Sequence, residues 1–151
     1  MINRAIRLFI SSTILAAAVS AQNLPIKIDH PWMQAVPTVA SDTAVYMNIR
    51  NLGQAPLKLV GASCSIAANV EPMITTHQEE AGHQTMGMQG VPALEIPAGG
   101  TLELRPGGNH LMVMGLKSHP NEGDHVKVVL LFAPNAQQVD VEVVVLKHQP
   151  D

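Results

Sequence analysis

The sequence predicts an all-β domain, an antiparallel sandwich or barrel, on three observations. Short runs of alternating apolar and polar residues fill the chain, a 3.6-residue period is almost absent, and Pro/Gly-rich turns recur at roughly 8–12-residue intervals. The 151-residue length suits one domain, and no repeat, linker or second domain interrupts it.

The first residues read as a leader. Arg4 and Arg7 precede the apolar run Leu8-Phe9-Ile10 to Ala16-Ala17-Ala18, and Val19-Ser20-Ala21 puts small residues before a cut. The run is shorter than the ~20 residues that a spanning helix needs. The expectation is therefore a signal peptide over residues 1–21, cleaved after Ala21, and a single mature domain over residues 22–151. The mature domain is expected in the periplasm or secreted, with no stable membrane insertion after cleavage. Loss of Arg4 and Arg7 leaves seven Lys+Arg against twelve Asp+Glu, a net −5. Such a chain lacks the clustered cations that a phosphate backbone demands, so nucleic acid is not an expected partner.

In the mature chain the candidate strands are Ile26–Asp29, Ala44–Arg50, Leu57–Ala62, Asn69–Ile74, Ala93–Ile96, Thr101–Arg105, His110–Met114, His125–Phe132 and Val139–Leu146. Turns separate them at Asn51-Leu52-Gly53, Pro97-Ala98-Gly99-Gly100, Pro106-Gly107-Gly108-Asn109 and Pro120-Asn121-Glu122-Gly123, where Gly supplies the positive φ of a tight turn. The last strand is apolar on nearly both faces (Val141, Val143, Val145 against Glu142, Val144 and Leu146), which predicts a central position. The stretch His77–Met88 breaks the alternation, being polar and Gly-containing, and predicts a surface loop.

The chemistry sits between positions 73 and 114. Five of the seven mature methionines (Met73, Met86, Met88, Met112, Met114) lie there beside His77, His83 and His110. A thioether is a soft neutral donor that needs no deprotonation, and with imidazole it selects Cu(I) over zinc, magnesium or calcium. A thiolate would bind more tightly, but outside the cytoplasm it is exposed to oxidation and disulfide exchange. In a strand, residues i and i+2 share a face about 6.6 Å apart, so His110 and Met112 can meet on one ion while Leu111 and Val113 face away. Met33, Met47 and Met114 are assigned to packing, the ordinary use of methionine in a core. A second, harder donor set, His77, Glu79, Glu80, His83 and Met86, suggests a separate Cu(II) site in the loop.

The stretch from Ile96-Pro-Ala-Gly-Gly-Thr through Pro106-Gly-Gly-Asn-His-Leu-Met-Val-Met-Gly-Leu-Lys117 closely resembles the signature of the periplasmic Cu(A) chaperones (PCuAC-type). Their metal motif is His(or Met)-x10-Met-x21-His-x-Met. Here ten residues separate His77 from Met88, twenty-one separate Met88 from His110, and Leu111 precedes Met112. Weaker likeness extends to Pro31-Trp32, Ala44–Asn51, Leu59–Ala62 and Glu122-Gly-Asp124. The resemblance implies a Greek-key, cupredoxin-like β-barrel or sandwich that holds Cu(I) through His77, Met88, His110 and Met112. It implies delivery of copper to the Cu(A) subunit of cytochrome c oxidase or to another copper chaperone. Met73 rivals His77 as first ligand, because Val70-Glu71-Pro72-Met73 matches the strand context in which the family places that ligand.

Competing readings are weaker. A blue-copper centre needs a Cys thiolate beside two His, yet Cys64 stands in Gly61-Ala-Ser-Cys-Ser65 with no nearby His and reads as a buried small residue. No Gly-x-Ser-x-Gly, phosphate loop or His-Glu-x-x-His is present, so an enzyme is not expected. Two other possibilities are general copper storage or resistance, and a structural sandwich whose methionines only pack.

Overall fold

A computed structural model describes residues 24–151; the expected leader, residues 1–21, lies outside them. The elements are all strands: β1 (Ile26–Gln34), β2 (Asp42–Asn51), β3 (Leu57–Cys64), β4 (Ala67–Glu80), β5 (His83–Gly90), β6 (Leu94–Ile96), β7 (Thr101–Leu104), β8 (His110–Leu116), β9 (His125–Ala133) and β10 (Gln137–Leu146). The nine predicted strands are present, and β5 is added. Among the described residues no helix is long and apolar enough to cross a membrane.

Hydrogen bonding runs in the order β5-β4-β8-β2-β1-β10-β9-β3-β6, with β7 on β2. One further pairing, Ala62↔Val70 between β3 and β4, closes seven of these strands on themselves. Every pairing is antiparallel except β1 with β10, where the last strand returns beside the first. This is an all-β, Greek-key, cupredoxin-like barrel or sandwich. β10 lies between β1 and β9, the central place that its two apolar faces predict.

The interior follows from the two-residue period. Val45, Met47 and Ile49 of β2, Leu111 and Val113 of β8, Val128, Leu130 and Phe132 of β9, and Val143 and Val145 of β10 all point inward and are buried. Each large side chain so buried stabilises the fold by about 1.5–3 kcal/mol before its entropy cost. Met33 and Met47 are packing residues, as expected, and Cys64 is buried in the same core. Met114 is not. It shares the outward parity of His110 and Met112, lies half-buried opposite Asp42 and Asn69, and takes no part in the core, because Leu111 and Val113 already hold the inward positions of β8.

Residues 77–88 form a β-hairpin and not the surface loop that their composition predicts. Eight residue pairs join β4 to β5, from Met73↔Gly90 to Glu80↔His83. Ala81 (φ 51°) and Gly82 (φ 79°) both have positive φ, the backbone of the two-residue turn whose twist matches the flanking strands. Both faces of the arm are polar and all of β5 is exposed, so alternation of apolar and polar residues could not reveal it.

Candidate metal centre

The centre is built where β8 leaves its preceding turn. The Pro106–Asn109 turn is closed by hydrogen bonds from Gly108 N–H to the Arg105 carbonyl (3.0 Å) and from Arg105 N–H to the Asn109 carbonyl (2.8 Å), with Gly107 at φ 75°. His110 follows, only 5% exposed, its Nδ1 3.0 Å from the Gly108 carbonyl oxygen. A carbonyl can only accept, so Nδ1 carries the proton and Nε2 keeps the lone pair that a metal requires. Thr75 Oγ1 of β4 donates to the same carbonyl at 2.8 Å, tying the base of the hairpin to the turn that orients His110. Groups that orient a metal-binding imidazole in this way contribute roughly 10–100-fold in affinity. Thr75→Val is therefore expected to weaken metal binding by up to about tenfold, the lower end of that range because Thr75 acts through Gly108, while thermal unfolding shifts little. A competition titration beside a melting curve checks it.

Met112 lies one step further along the same face, and the hairpin brings Met86 and Met88 over it. These four side chains, with Tyr46 and Ala44 of β2, line one open, mainly apolar pocket of about 450 Å³. Among the described residues no carboxylate, ammonium or guanidinium lines it. A hard divalent cation would find no compensating charge there, whereas a soft monovalent ion meets three thioethers and one imidazole. Met86 and Met88 are 64% and 62% exposed, so packing does not account for them.

Tyr46 is a wall residue that sequence reasoning passed over. Its ring centroid lies 4.7 Å from that of Trp32 and 6.5 Å from that of His110, and burial pushes the pKa of its phenol up from the ordinary tyrosine value. The signal was available: Val45 and Met47 point inward, which leaves the sole Tyr of the chain on the outer face of β2.

The remaining candidates occupy other places. Met73 stands directly opposite His110 in the β4–β8 register and opposite Gly90 in the β4–β5 register, on the outward face and half-buried. His77 lies four residues further toward the tip, about 13 Å along the strand, where it faces Met86. Neither lines the pocket. His83 sits at the turn opposite Glu80. The harder donor set does not assemble: strand alternation puts His77, Glu79 and Met86 on one face of the hairpin and Glu80 and His83 on the other. Among the described residues no group of three or more His, Cys, Asp or Glu side chains is arranged to hold a metal.

Residues 26–145 match the family model described as "Putative lipoprotein LpqE-like". The chain is 32% identical over 108 residues to "Putative lipoprotein Lxx21020" of Leifsonia xyli subsp. xyli, an alignment covering 72% of this chain and 62% of that protein. It thus spans less than two thirds of that relative. Among solved structures, Cu(I)-DR1885 from Deinococcus radiodurans superposes with a TM-score of 0.66 at 38% identity, over 85% of this chain and 83% of that one. The copper-bound PCuAC domain from PmoF2 gives a TM-score of 0.66 at 21% identity, over 83% and 96%, a likeness of fold alone.

Proposed function

The chain belongs to the LpqE-like, PCuAC-type family, and from that premise we propose that it is an extracytoplasmic Cu(I)-binding chaperone. The single observation that carries this reading is the neutral pocket in which Met86, Met88 and Met112 stand around a His110 whose Nε2 is left free. The inner ligands in this reading are Met88, His110 and Met112. Met73 is the fourth in this reading, supported by the strand register that sets it directly opposite His110.

The relative from Deinococcus radiodurans is described as a Cu(I) protein, which supports copper as the cargo. The family model and the curated relative are named as lipoproteins, which supports a place outside the cytoplasm, in line with the leader expected from the sequence. Mechanistically, a carrier must hold its ion and still give it up. Two of the thioethers stand on an exposed arm, so an incoming ligand can reach the metal without unfolding the barrel. Thioethers are weaker donors than thiolates, so a reduced acceptor with cysteine ligands takes the ion by ligand exchange. The Cu(A) subunit of cytochrome c oxidase, or another copper chaperone, fits that description.

The test is anaerobic Cu(I) loading followed by X-ray absorption and then mixing with a reduced dithiol acceptor. The expected result is sulfur and nitrogen in the metal's first coordination shell and transfer of copper to the acceptor. A shell without thioether sulfur, or copper that stays behind, overturns the reading. A storage role predicts the second of these outcomes.

A further inference from the structure

The hairpin continues past the centre by more than the centre needs. From Thr76↔Gly87 to Glu80↔His83 its residue pairs lie beyond the Met88 row, and the residues from His77 to the tip, with the whole of β5, are exposed. A two-stranded arm exposed on both faces is marginal in water, so a ligand that joins its two strands adds to its order.

One pair there has the chemistry of a soft-metal site. His77 and Met86 are directly opposite, which puts their Cβ atoms about 4.5–5.5 Å apart on one face. Met88 is the diagonal neighbour of His77 on that face, and Glu79 lies one row nearer the tip. Met86 and Met88 also line the inner pocket, and His77 does not. The arm therefore carries an imidazole at one end of a thioether row whose other end reaches His110 and Met112.

Resting on the Cu(I) reading of the inner centre, we propose that His77 and Met86 form a second Cu(I) station, at which copper is loaded and unloaded before it passes along the thioethers of Met86 and Met88. A d10 ion is content with few soft ligands, so one imidazole and one thioether suffice to hold it weakly, and the carboxylate of Glu79 supplies the attraction that the neutral pocket lacks. Passage inward is ligand exchange with no change of oxidation state: Met86 stays bound while the His77 bond breaks and a bond to Met88 forms. A metal joining the two strands also clamps the arm, coupling loading to its order.

The experiment is an anaerobic Cu(I) titration of the full mature chain against a chromophoric Cu(I) chelator, with Met methyl and His ring resonances followed by NMR. Two equivalents are expected. The tighter shifts Met88, Met112 and His110; the weaker shifts His77 and Met86 and slows amide exchange across residues 77–86. His77→Ala, at a residue outside the inner pocket, should reduce the stoichiometry from two to one and leave the tighter equivalent in place. A single equivalent in the wild-type chain with the His77 ring unmoved overturns the second station and leaves the copper reading intact. Loss of the tighter equivalent in His77→Ala also overturns it, by assigning His77 to the inner centre. Absence of any copper binding overturns both.

Discussion

His110→Ala is expected to lower Cu(I) affinity by more than about 100-fold, beyond the 10–100-fold range typical of groups that only orient a ligand. Among the described residues His110 is the only imidazole lining the pocket. Its side chain is also the most fixed of the proposed ligands: it is 5% exposed, and its Nδ1 proton goes to the Gly108 carbonyl, which accepts from Thr75 as well. Removing the ring deletes the nitrogen donor and leaves a small void beside Tyr46, whose ring centroid is 6.5 Å away. It also frees one carbonyl from a hydrogen bond. The stability cost is about 1–3 kcal/mol, the usual range when a buried polar partner is lost. The variant therefore remains folded, and circular dichroism beside the chelator competition separates loss of site from loss of fold. His125→Ala is the control. That imidazole is paired with Glu142 on the opposite strand at 3.0 Å and is well exposed, so its removal leaves copper binding unchanged. Affinity of His110→Ala within a few-fold of wild type would remove the imidazole from the centre.

Most of the barrel was legible because most of it buries one face. In β8, Leu111 and Val113 are at 0% exposure and His110 and Met112 alternate with them, so the two-residue period alone placed the ligand candidates together. The same rule sorted Met33 and Met47 into the core. It could not see the β4–β5 arm, where both faces meet water and the turn is Ala81-Gly82 rather than the Asn-Gly or Asp-Gly that marks such turns in sequence. Missing the arm had consequences for the site. Counting residues along the chain favours His77, because ten residues separate it from Met88. Metal ligands, however, are brought together by register between strands, and register puts Met73 opposite His110 and His77 opposite Met86. Tyr46 escaped for a related reason: its part is that of a wall, and walls are defined by what stands across from them.

Replacing Met88 and Met112 together by leucine should lower Cu(I) affinity on the order of a thousandfold, with little change in stability. The prediction turns on separating the two uses of methionine. Leucine has nearly the volume of methionine, and such swaps in a core cost less than about 1.5 kcal/mol. Met88, at 62% exposure, gives up almost no packing, and Met112 is only half-buried. What leaves is two sulfur donors, each worth at least the tens-fold seen for lesser groups around a metal. Met86, His110 and the half-buried Met73 remain, too few and too dispersed to restore the centre. The converse pair, Met33→Leu and Met47→Leu, removes two thioethers that are 0% and 2% exposed within the core. Those changes should disturb the denaturation midpoint and spare copper. A structural sandwich whose methionines only pack makes the same prediction for the core pair and differs at the Met88/Met112 pair, which then changes neither stability nor binding. Chelator competition on the Met88/Met112 double variant decides between them, with equilibrium denaturation as the check on folding: the copper reading requires a large loss of affinity there and the structural reading requires none.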